Sequence, residues 1–242
     1  MRATGSSACS SGAAAGYALR LLATLGAEAV LVEPEGGSAL RRAPPFLPDS
    51  ETSALFAYLT AGSRVQTGGL EAALATADIL LHDTPLGERE ALGLADEALA
   101  ARFPNLIPVS VLPFGAHGTK AHWTGEDINI LHAAGEGYLL PNGLSIEQFP
   151  DRPPVKPYGH FAEYQGGVAA ALGALTALWA RDAAGAQAVD VSAQDATLAV
   201  GAFAIQRLGD GSVEHRVERS FRFGGVIACA DGYVELLTLE QR

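Results

Sequence analysis

Apolar residues at helical spacing run through "GYALRLLATLGA" and give way at Glu28 to the unbroken apolar stretch "EAVLVE" (Glu28 to Glu33). The first pattern predicts a helix to about Leu25, capped by Ser10 or Ser11 and closed by Gly26; the second predicts a buried strand. A Pro- and Gly-rich loop follows, and "SALFAYLTAG" restores helical spacing before Gly62. The short helix "LEAALATA" then leads into the apolar strand "DILLHD" (Asp78 to Asp83), and the helix "ADEALAARF" into "LIPVSVLPFG" (Leu106 to Gly115). Strands alternating with helices predict an α/β fold with a doubly wound, mostly parallel sheet and helices on both faces.

Further along, Thr124 with Asp127 three residues later reads as a capping-box variant opening a helix at "INILHAAG". An irregular Pro-rich stretch (Pro141 to Pro157) precedes a long alanine- and glycine-rich helix with Glu163 near its start. The strand "AVDVS" (Ala188 to Ser192) and a helix to about Leu208 complete the pattern. After the charged segment "GDGSVEHRVERSFR", two apolar strands around an Asp-Gly turn (Val226 to Leu237) predict a hairpin. The organisation expected is a large domain over 1–208, a linker over 209–223 and the start of a small domain over 224–242.

With 242 residues, 48% hydrophobic and 18% charged, the chain has ample core material and needs no disulfide or metal staple. Its 16 basic against 27 acidic residues give a net charge of −11, which repels nucleic acid and anionic lipid. Neither nucleic acid nor membrane is expected as a partner. An anionic ligand would need a local group of arginines or a helix N-terminus. Cys9 and Cys229 match no metal or redox spacing, and the polar residues of the N-terminus break any secretory apolar run. The long Gly- and Ala-rich helix reads as a core helix and the protein as cytoplasmic. No Walker loop, no dinucleotide glycine fingerprint and no His/Cys metal cluster appears, so no metal is expected.

A series of short segments carries the functional information: "LLATLGAEAVLVEPEGGSALRR", "FAYLTAGSR", "ADILLHD" with "ALGL", "NLIPVSVLPFGAHG", "GEDINILHAAG", "GHFAEYQGGVAAALGALTAL", "QAVDVSAQDA" and "CADGYVEL". In this order they resemble the class III CoA-transferase superfamily, which includes formyl-CoA transferase, the carnitine CoA-transferases and α-methylacyl-CoA racemase. The resemblance implies coenzyme A, as an acyl-CoA, and a small carboxylic acid as substrates. It also implies interlocked subunits, hence a homodimer or a partner subunit. Members of the family have a strand before the first helix and continue beyond "CADGYVEL". The chain is therefore expected to begin almost inside the loop after that strand, and to be shortened or one piece of a longer polypeptide.

The resemblance further implies a carboxylate at the start of the long helix that attacks the thioester and later carries CoA as an enzyme thioester. Glu163 holds that position, where the family has aspartate. A carboxylate near a helix N-terminus sits beside free N–H groups that keep it ionised, which serves a nucleophile and equally a glutamate that only complements the helix dipole. "GEDINI" resembles the "GHDINY" element of the racemases with Glu126 in place of histidine, which argues against a racemase. Glu126 and Glu163 form a possible pair of bases separated by burial. His160 and His132 are further possible bases, or capping and core groups. Arg41, Arg42, Gly62 and Arg64 fall where the family binds the nucleotide, and arginines grip phosphate bidentately. Ser63 replaces a frequent lysine and Pro85 an arginine, so weaker CoA binding is expected. The alternatives to a transferase are a non-catalytic CoA-binding subunit or half of a larger transferase, and a racemase or lyase.

Overall fold

The computed structural model describes residues 4–8, 12–140, 151, 153–201 and 225–236. Six parallel strands form one sheet in the order β3-β2-β1-β4-β5-β6. They are β1 (Thr4–Ala8), β2 (Glu28–Glu33), β3 (Arg64–Thr67), β4 (Ile79–His82), β5 (Ile107–Leu112) and β6 (Val189–Ser192). The order turns outward in both directions from β1 and β4, which makes their junction a topological switch point. In open α/β sheets the crevice beyond the strand C-termini at such a point is where ligands bind.

β1 corrects an expectation. The chain does contain the strand that precedes the first helix, with Gly5 paired to Ala29 on one side and Ile79 on the other. Its sequence, TGSSA, has no large apolar residue and so gives no strand signal; pairing on both sides makes it one. The polar edge strand β3, RVQT, also lies outside the predicted set.

Helices cover both faces, as the alternation along β4 shows. Ile79 and Leu81 join the larger core with α1 (Ala13–Thr24), α2 (Ala54–Thr60) and α7 (Phe161–Ala184). Leu80, pointing the other way, packs with Leu74 of α3 (Leu70–Leu74) and Leu99 of α5 (Asp96–Arg102). A short α4 (Leu86–Arg89) follows β4, α6 (Asp127–Ala133) follows β5, and α8 (Ala193–Val200) follows β6.

Two glycines set how closely α7 approaches its neighbours. A Cβ on Gly167 would lie 2.6 Å from the carbonyl oxygen of Ala14, and one on Gly166 2.9 Å from the Cβ of Ala193. The first turns of α1, α7 and α8 therefore converge. Gly185 ends α7 with φ 78°, a conformation that glycine adopts without strain.

The helix starts differ from the expected ones. α1 opens at Gly12, and α6 is capped at Glu126, not Thr124. Asn129 Oδ1 accepts from the Glu126 N–H at 2.9 Å, two residues later than the predicted box. Asp127 cannot reach back to Thr124 because its carboxylate is engaged by α7. β7 (Gly225–Cys229) and β8 (Gly232–Leu236) form the predicted antiparallel hairpin, turning at Ala230 and Asp231. Cys229 is free and exposed, whereas Cys9 and the proposed linker lie outside the described residues.

Candidate active site

At the C-terminal ends of β4 and β5 a cavity of about 460 Å³ opens, lined by Gly12, Asp83, Pro85, residues 121–126 and Glu163, among others. It occupies the crevice expected of the switch point. Three carboxylates organise the helix starts around it; of these, Asp83 was not singled out by the sequence and Asp127 was read only as a local cap.

Asp83 follows β4 directly and accepts from the Gly12 N–H through Oδ2 at 2.7 Å. A Cβ on Gly12 would lie 2.7 Å from that same oxygen, so any larger residue would push the Asp83 carboxylate aside. Glu163, in the first turn of α7, accepts from the Ala13 N–H through Oε1 at 3.2 Å. Two side chains distant in sequence thus satisfy the first amides of α1, the task predicted for Ser10 or Ser11. Asp127, buried at 4% exposure, does the same for α7: its Oδ1 accepts from the Glu163 N–H at 3.0 Å. Its Oδ2 faces Lys156 Nζ at 3.5 Å.

The second oxygen of Glu163, Oε2, lies 2.5 Å from Nδ1 of His160, the residue at the N-cap of α7. The carboxylate is held from two sides yet remains 18% exposed, facing the cavity. Hydrogen bonding to Glu163 raises the His160 pKa, burial opposes it, and the charges of Glu163 and Asp127 add to the rise. His160 itself lines a second cavity of about 530 Å³ with Pro45, Tyr58, Lys156, Tyr158 and Tyr164. Tyr164 stacks on Tyr17 with ring centroids 4.4 Å apart, and its phenol is pushed up to about 12, first by burial.

The other candidates fall in different places. Glu126 is on the rim of the first cavity but exposed, so the burial expected to set it apart from Glu163 is absent. His132 donates from Nε2 to the Val155 carbonyl at 2.9 Å, which ties down the segment leading into α7. Arg41 is bound bidentately to buried Glu33, at 2.7 Å for the closest contact, and stacks over Phe56 at 4.2 Å. That bond, offset by burial, holds the Glu33 carboxyl below its usual range. Arg42 is exposed beside it, and both arginines line a shallow groove with Phe46, Ser50 and Glu51. Arg64 is exposed at the start of β3, opposite Val30 and three residues short of the strand's C-terminal end, about 10 Å along the strand. Gly62, with φ 84°, makes the turn before it. The structure brings Glu163, His160 and Glu126 to one region and leaves the arginines apart from it.

No group of three or more His, Cys, Asp or Glu side chains arranged to hold a metal occurs among the described residues. No helix among them is long and apolar enough to cross a membrane.

Comparison with known proteins agrees with this architecture. The chain is 29% identical over 244 residues to succinyl-CoA:(R)-benzylsuccinate CoA-transferase subunit BbsE of Thauera aromatica, covering 93% of this chain and 57% of the relative. It is 31% identical over 195 residues to acetyl-CoA:oxalate CoA-transferase of Acetobacter aceti, covering 76% and 48%. A crystal structure of a CaiB/BaiF family protein from Brucella suis superposes with a TM-score of 0.81 at 25% identity, covering 96% of this chain and 64% of that one. The chain thus spans about half the length of the curated relatives it matches. The profile of CoA-transferase family III matches residues 8–242, and the chain belongs to that family.

Proposed function

We propose that the protein takes part in acyl-CoA:carboxylate CoA transfer, with Glu163 as the acyl acceptor. One observation supports this most directly: an ionisable carboxylate, partly exposed to the switch-point cavity, is bonded to the first amide of α1 and sits in the first turn of α7. It thus lies where the starts of α1 and α7 meet. The family's named relatives, which move CoA between carboxylic acids, supply the reaction class.

In this reading a Glu163 oxygen attacks the thioester carbonyl carbon, the C–S bond breaks, and CoA leaves as a thiolate. The resulting mixed anhydride is attacked by that thiolate at the Glu163 carbonyl. The acyl group departs as a free carboxylate and leaves CoA on Glu163 as a thioester. An incoming carboxylate reverses the sequence and takes the CoA away. Each step exchanges one activated acyl bond for another, so no external energy source is required. Arg42 and Arg64 are exposed and available to the nucleotide phosphates, whereas Arg41 already has a carboxylate partner.

Replacing Glu163 with Gln keeps the shape and removes the nucleophile. CoA exchange between an acyl-CoA and a free carboxylic acid is expected to fall at least a thousandfold in Glu163→Gln, with CoA affinity changed less than threefold. Unchanged exchange would remove Glu163 from the role. A second reading, a CoA-binding subunit whose partner performs the chemistry, is favoured by the engagement of Arg41 with Glu33 and by the subunit status of the Thauera relative. It predicts no exchange by the chain alone and recovery when a partner chain is added.

A further inference from the structure

Glutamate is one methylene longer than the aspartate that the family's resemblance leads one to expect, so it has one more torsion to restrain before its carboxylate is placed. The structure shows what restrains it. Oε1 is fixed by the Ala13 amide at 3.2 Å and Oε2 by His160 Nδ1 at 2.5 Å. His160 makes no side-chain capping bond to α7, although it occupies the N-cap. Its ring is committed to Glu163 rather than to the helix.

We infer that His160 is a positioning residue that clamps the longer Glu163 side chain, so that its carboxylate meets the thioester where a shorter one would. The inference rests on the proposed role of Glu163. Misplacement on the order of 1 Å costs about a hundredfold in rate, which is the scale of what the clamp controls. The groups around the imidazole are Glu163 and Tyr164 from α7, Asp127 from α6 and Lys156 from the preceding segment. Its ring also forms part of the wall of the aromatic cavity, while Glu163 faces the other one. Breaking the pair leaves the carboxylate held by the Ala13 amide alone.

The test has two arms. In the first, the His160 imidazole is titrated by NMR in the wild type and in Glu163→Gln. The clamp predicts a wild-type midpoint above 6.5 that falls on substitution; the same midpoint in both proteins would overturn it. In the second, the rate of covalent adduct formation with a short acyl-CoA is followed in His160→Ala and His160→Asn, with thermal unfolding as a check on folding. Asparagine places an N–H near the position of Nδ1. The clamp predicts a slowing of roughly tenfold to a hundredfold in His160→Ala at unchanged KM, with most of the rate restored in His160→Asn. Equal rates in all three proteins, or equal losses in both variants, would overturn the inference. A wild type that forms no adduct while its His160 titration still responds to Glu163 would instead sink the nucleophile reading, and with it the catalytic purpose of the clamp, leaving only the His160–Glu163 contact itself.

Discussion

The imidazoles of His160 and His82 respond to opposite environments. His160 gains a carboxylate partner and its pKa rises. His82 is fully buried at the end of β4, and burial, helped by the charge of Arg89, drives its pKa down to about 3. In the unfolded chain His82 takes up a proton near 6.5; in the folded chain it stays neutral until about pH 3. Between those values the unfolded state binds more protons, so stability is full above 6.5 and declines as pH falls. Denaturant titrations at pH 7 and pH 5 should show the wild type losing up to about 1.4 kcal/mol per pH unit from this group, a loss absent in His82→Leu. Identical slopes in the two proteins would contradict this account of His82. Of the residues gathered at the cavity, Glu163 and His160 were singled out in sequence because the long helix marks its own start and the resemblance puts a carboxylate there. The tertiary partners of Asp83 and Asp127 were not. Each aspartate caps a helix that lies far off in the chain, and local spacing carries no trace of such a bond.

Helix starts meet at the site because helix packing brings them there. Gly167 lets α7 approach the backbone of α1, and that approach sets the distance between Glu163 and the Ala13 amide. A methyl group at 167 would have to displace the Ala14 carbonyl, which is backbone and cannot rotate away. Gly167→Ala should therefore destabilise the protein by about 1–3 kcal/mol and also slow adduct formation at Glu163, though residue 167 touches no substrate. Loss of stability with an unchanged rate would show that Glu163 does not depend on the α1–α7 spacing. Among the elements, the apolar strands β2, β4 and β5 were readable from their uninterrupted runs. β1 and β3 lack such runs and are strands because of their neighbours. The cap of α6 was misplaced for a related reason: a side chain counted as a local partner is spent on a tertiary one.

For the whole molecule, the strand order places the switch point between β1 and β4, and the largest consequences follow from that geometry. The start of α1, the end of β4 and the start of α7 all meet there. The fold class was legible because alternating strands and helices admit few other arrangements. The Glu33 partner of Arg41, a residue that the resemblance assigns to the nucleotide, was not legible, because it forms only once the loop closes. The measurement that bears most directly on the account is mass spectrometry of the protein incubated with a short acyl-CoA, followed by peptide mapping. The account predicts a covalent CoA or acyl adduct on Glu163, absent in Glu163→Gln. Bound CoA with no adduct, or an adduct on another residue, would contradict it.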